Sequence, residues 1–205
     1  MGELIISFFK LVGAILLLPV VIAGSLQVQE YIANYQGQDA EFLIWGGAAF
    51  LIIFLFVNQF RGLHELGQKT MSALLKFMAP LDLFVANSVP FYTIVIVFVY
   101  WFVDHFYKLD AYHHYLIFFV GFSFCMHVVS VAQNLQEQDQ SIFKPNYFPL
   151  MSIFCVLNIF IIVLLLDMMS GHFMFGKFFH AMIAQAWDIY TGVYDRVMML
   201  VVKGK

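Results

Sequence analysis

Apolar residues run almost uninterrupted over residues 5–26, 42–60, 90–103, 115–131 and 147–166, and the polar residues collect between these runs. A spanning helix needs about 20 predominantly apolar residues. Inside a bilayer a helix also satisfies its own backbone hydrogen bonds, so each run predicts a transmembrane helix, the third starting as early as residue 85. Pro19 lies inside the first run, where neighbouring groups can satisfy the freed carbonyl. Residues 71–84 are apolar but interrupted by Lys76, Pro80 and Asp82, which reads as an interfacial or re-entrant segment, or as a sixth span. Beyond residue 171 the pattern changes. Phe175, Phe178, Phe179, Met182, Ala186, Ile189, Val193 and Val197 recur at helical spacing against Lys177, Gln185, Asp188, Asp195 and Arg196, the signature of an amphipathic helix lying along the interface. The predicted fold class is an all-α polytopic membrane protein with five to six transmembrane helices plus a C-terminal amphipathic helix. The expected division is a transmembrane helical domain over residues 1–170 and an amphipathic interfacial tail over 171–205.

Composition agrees with this class: 62% of the 205 residues are hydrophobic and only 11% charged, beyond what a soluble core requires. The net charge of −3 rests on few groups and points to no nucleic-acid partner. The expected partners are the lipid bilayer and a membrane protein or transmembrane segment. No small-x-small site closes the first apolar run, so that span is expected to be retained. Residues 27–41 carry Glu30, Asp39 and Glu41 but no Lys or Arg, whereas Arg61, His64, Lys69 and Lys76 come after the second run. The positive-inside rule then predicts a multi-pass protein of the inner membrane with residues 61–68 on the cytoplasmic side. Five spans would leave Lys177, Arg196, Lys203 and Lys205 outside, against the same rule, unless residues 71–84 or the tail also cross. Cys125 and Cys155 fall inside apolar runs as small buried hydrophobes, and they imply no disulfide framework.

The stretch that could carry chemistry is Arg61-Gly62-Leu63-His64-Glu65-Leu66-Gly67-Gln68. On a helix His64 and Gln68 share one face four residues apart with Glu65 beside them, as in a His-Glu-x-x-His zinc site, but the last histidine is missing. A zinc hydrolase needs imidazole and carboxylate ligands, an open position for water and a carboxylate base that is not a ligand. His64 and Glu65 match two of these roles. His127 sits inside the fourth apolar run, where it requires a partner, a metal or a neutral hydrogen bond. The bland readings are a polar, snorkelling helix end with Glu65 four residues from Lys69, and a satisfied interior histidine at 127. His105, His113 and His114 read as a solvated aromatic belt, because the adjacent pair 113 and 114 should point differently. Haem is excluded, since His127 alone is deep enough to ligate it.

The chain resembles the site-2 protease group of membrane zinc metallopeptidases, in particular a compact bacterial branch. The landmarks fall in order: Pro19; Gly46 and Gly47; Arg61 to Gln68; Val89-Pro90-Phe91-Tyr92-Thr93; Phe119 to His127; the glutamine-rich turn from Gln136 to Ser141; Tyr147-Phe148; and Asn158. The resemblance implies zinc held by the motif histidines and by an acid after the fourth span, with Glu65 as catalytic base. His64 carries over as a metal ligand. Gln68 replaces the second ligand histidine, and an amide is a poor zinc ligand. Ser141 stands where the acid should be, with Asp139 two residues away and His127 a further candidate metal ligand. The family's polar, glycine-containing stretch that clamps an extended substrate by edge pairing is missing before the third span. These departures imply a descendant of zinc proteases, catalytically inactive and without bound zinc, acting as a membrane-embedded binding or assembly subunit. An active zinc metalloendopeptidase using His64 and Asp139, with His127 as a further ligand and Glu65 activating water, is the alternative. A small channel or carrier subunit is the third, and it predicts polar residues along a shared face of several spans.

Overall fold

The structure, a computed structural model, describes residues 2–34, 38–56, 60–74, 88–107, 110–139, 147–170 and 174–203. Among the described residues all regular structure is helical. The helices are α1 (Gly2–Ala33), α2 (Asp39–Phe56), α3 (Phe60–Leu74), α4 (Phe91–Tyr107), α5 (His113–Asp139), α6 (Tyr147–Ser170) and α7 (Phe175–Lys203), with a single 3-10 turn at Asp110–Tyr112 before α5. Among the described residues four stretches are long and apolar enough to cross a membrane: Phe8–Ala33, Asp39–Phe56, His113–Leu135 and Phe148–Met169. The third apolar run forms the shorter α4, an apolar helix of 17 residues. The apolar segment expected over 71–84 is helical as far as Leu74, as the end of α3; its remainder, with Lys76, Pro80 and Asp82, lies outside the described residues.

The helices form two compact units, Met1–Ile32 with Ser141–Lys205, and Ala33–Gln140. The tail helix packs with the first and last long apolar helices. In this first unit the apolar face of α7 is buried through Phe178, Met182 and Ala186. Gly24 of α1 admits Ile159 and Met182 so closely that a Cβ there would lie 3.2 Å from Ile159. Asp167, 3% exposed, accepts hydrogen bonds from the Tyr31 hydroxyl and from the Phe175 backbone N–H at 2.5 Å each. The second bond caps α7 with a carboxylate, which satisfies one of its orphan donors and complements the helix dipole. This accounts for an acid at the end of an apolar helix. From Thr191 onward every α7 residue with a described side chain is exposed.

The second unit is built on α5. Its N-terminal end lies beside that of α2, so the two run parallel. Asp39 accepts a 2.6 Å hydrogen bond from His114 Nδ1 and lies 3.5 Å from His113 Nε2, while Phe42 stacks on the His114 ring. One carboxylate thus engages both adjacent histidines with its two oxygens, where a solvated belt was expected. Further along, Gly46 lies against the Phe118 carbonyl and Gly121 against the Leu43 carbonyl. A Cβ added at either glycine would fall 2.0 or 2.1 Å from the facing oxygen. Small residues permit this backbone approach, and Cα–H groups facing carbonyls add a weak attraction. Phe50 fills the next turn, edge-on to Phe122. α4 runs antiparallel to α5, with Tyr100 near His113 at one end and Thr93 near Ser123 further along.

Gly46→Ala and Gly121→Ala should each destabilise the protein by roughly 1–3 kcal/mol, the usual overpacking cost. Gly13→Ala and Gly192→Ala should be neutral or slightly stabilising, because nothing lies within 4 Å of a Cβ at those positions and alanine favours helix. Thermal unfolding in mild detergent separates the two pairs.

Candidate functional site

His64 and His127 come together. α3 is strongly amphipathic, and its buried face carries His64 and Gly67. α5 presents Ser123, His127 and Ser130, at spacings of four and three, on one buried face. The two imidazoles have ring centroids 5.6 Å apart and planes inclined at 52°, and each residue is 4% exposed. His127 is hydrogen-bonded to the backbone of Ser88. Its Nε2 has no partner, nor has the Nε2 of His64. The Ser88 contact therefore belongs to Nδ1, which as an N–H donates to the carbonyl. That tautomer leaves the Nε2 lone pair of His127 directed away from the backbone, the arrangement by which a backbone carbonyl commonly orients a ligating histidine.

Both rings border a cavity of about 10 Å³, room for one water-sized occupant. Gly67, Gln68, Val89, Phe91 and Tyr92 complete its lining. Gly67 is glycine for a local reason: a Cβ there would lie 2.7 Å from Tyr92 Cε2 and 3.3 Å from Phe91 Cδ1. The Tyr92 phenol is hydrogen-bonded to the Gly67 backbone, so the start of α4 is fastened onto α3 beside the cavity. One turn of α5 before His127, Ser123 donates to the Val120 carbonyl at 3.2 Å, which leaves Thr93 as the donor in its 3.0 Å contact with Ser123. The seam between α4 and α5 is thus polar on the side leading to His127. His127 lies eight residues before Leu135, the end of the apolar stretch, so the cavity sits ~12 Å inside that end of α5 at 1.5 Å per residue.

The other residues picked out in the sequence are placed as follows. Gln68, at the position of the missing histidine, borders the same cavity. Glu65 precedes it on α3, is half-buried, and is not among the lining residues. Its charge is close enough to favour protonation of His64. Asp139 ends α5 twelve residues after His127, ~18 Å further along the helix axis, so the helix carries it away from the pair. Ser141 lies outside the described residues, as do the side chains from Gln136 onward in the glutamine-rich turn. Among the described residues no three His, Cys, Asp or Glu side chains are grouped to hold a metal. Nothing in the hydrophobic pattern singles out Ser88, Tyr92 or Gly67 for the roles they take here. Only the Val89 to Thr93 landmark hinted that the start of α4 belongs to the site.

Burial lowers the His64 pKa from its ordinary 6.5 to about 4, against the smaller opposing effect of Glu65. Compared with known proteins, the chain matches no protein-family profile, no curated protein and no solved structure.

The depressed pKa fixes a sign. Below pH 6.5 the unfolded chain takes up a proton at His64 that the folded protein refuses until about pH 4, so stability present above 6.5 falls across that window. A shift of this size is worth on the order of 3 kcal/mol at most. His64→Gln should remove that part of the acid sensitivity, seen as a flatter plot of unfolding midpoint against pH between 7 and 4.

Proposed function

We propose that this chain is a membrane-embedded binding or assembly subunit that descends from site-2-type zinc metalloproteases and no longer hydrolyses peptides. The observation that carries this reading is the small size of the space between His64 and His127. A volume of about 10 Å³ accommodates a water but no peptide carbonyl with its flanking chain. The Tyr92 ring, packed on Gly67, occupies the side from which α4 would otherwise have to stand back.

Zinc is the cofactor that the ancestry implies, and the donor set fits it poorly. A hydrolytic zinc takes three protein ligands and keeps one position for water. The lining offers two imidazoles and the Gln68 amide, and a neutral amide competes weakly with imidazole or thiolate. Glu65 is not among the residues that line the cavity, so no step of water activation is assigned to it. The binding role rests on apolar surface. In the second unit Ile44, Trp45, Leu51, Ile52, Leu55 and Phe56 of α2 are all exposed, a face suited to lipid and to the transmembrane helix of a partner. In this reading α4 is a fifth, short span, the protein belongs to the inner membrane, and the start of α3 lies towards the cytoplasm.

Metal analysis tests the proposal. Protein purified without chelators should carry well under one zinc per chain, with no change in His64→Ala. Gln68→His should raise zinc occupancy by restoring an imidazole four residues from His64. Stoichiometric zinc in the natural protein, lost in His64→Ala and accompanied by cleavage of a transmembrane peptide, would overturn it in favour of an active protease.

A further inference from the structure

We infer that the paired imidazoles of His64 and His127 form a two-coordinate site for a monovalent d10 cation, with the cuprous ion as its ligand.

Two buried imidazole nitrogens without partners are costly, and the residues that carry them, His64 and His127, border one small space. His127 has its Nδ1–H committed to Ser88, which presets the other nitrogen as a donor to metal. Two metal–nitrogen bonds of about 2 Å each, between nitrogens roughly 1 Å from their ring centres, span about 6 Å. The observed centroid separation is 5.6 Å, so an ion fits with a shift of a few tenths of an ångström. The cavity volume of about 10 Å³ suits a single small occupant between the two rings.

Charge selects the class of ion. The cost of desolvating an ion grows with the square of its charge, so a divalent cation costs about four times as much as a monovalent one. No carboxylate belongs to the described lining to offset it. Alkali ions need several oxygen donors, which this lining does not supply. The cuprous ion accepts two imidazoles in a near-linear arrangement and has no need of a third ligand. The disagreement with a zinc set therefore becomes informative, because the ligands that remain are the ones a smaller charge and a lower coordination number require.

The inference rests on the reading that the zinc set has been lost, and the two can fail separately. The full chain would be titrated anaerobically in mild detergent with cuprous ion against a chromogenic chelator. The background would carry Cys125→Ser and Cys155→Ser, because both free thiols bind the same ion. One equivalent should bind. His64→Ala and His127→Ala should each weaken it by about 100-fold or more, Gln68→Ala by less than about threefold, and equimolar zinc should not compete. The absorption-edge spectrum of the loaded parent, which needs no histidine variant to fold, should show two nitrogen neighbours. Tighter binding of zinc, a spectrum with four neighbours, unchanged affinity in both histidine variants, or no bound equivalent would overturn the inference. Absence of copper without peptide cleavage sinks the inference alone; zinc with cleavage sinks the proposed function as well.

Discussion

The backbone contact between α2 and α5 is the constraint on which the second unit depends. Gly46 against the Phe118 carbonyl and Gly121 against the Leu43 carbonyl leave no space for a methyl group. In a bilayer, where apolar side chains gain little by leaving lipid, such close packing is a principal source of helix association. The contact sets the separation and register of the two helices. Register then decides chemistry, because His127 lies six residues beyond Gly121 and α3 begins only a few residues after α2. Fixing α5 on α2 brings the buried face of α3 to His127. Asp39, bound to both His113 and His114, ties the same pair at its other end.

The site itself is held by smaller devices. Gly67 lets Tyr92 lie on α3, and Ser88 orients His127. Both belong to the short segment around the start of α4, which thereby shapes the cavity without supplying a metal ligand from its side chains. The result is a small space bordered by two imidazoles whose Nε2 atoms have no partner. A protease of the implied ancestry would need an open position, a carboxylate base and a route for an extended chain. On the proposed reading, this space would hold a small guest rather than an extended peptide.

Much of the architecture was legible from the apolar runs, because a helix in lipid must be long, apolar and internally bonded. The buried stripe of α7 at Phe178, Met182 and Ala186 matches the amphipathic pattern directly. His64 could be singled out by its place in the His-Glu-x-x-Gln stretch, and His127 because a polar group inside an apolar run demands an explanation. Which helices pair was not legible, since Gly46 and Gly121 show their meaning only once the facing carbonyls are known. That Asp39 meets both His113 and His114 was not legible for a related reason: adjacent histidines diverge, but a carboxylate has two oxygens and can meet both. Asp139 looked close to the site in a count of residues, whereas a continuous helix carries it ~18 Å from His127 along the axis. The cap that Asp167 places on α7 was not legible either, because nothing in the apolar pattern pairs an acid at the end of one helix with the first N–H of the next.

The claim that His64 and His127 act as one site is tested most directly by a double-mutant cycle on stability in mild detergent. His64→Ala, His127→Ala and the double variant would be unfolded under one set of conditions with and without cuprous ion. Coupling between the two positions of roughly 0.5–3 kcal/mol is expected, larger when the ion is present. Strict additivity of the two substitutions in both conditions would contradict a shared site.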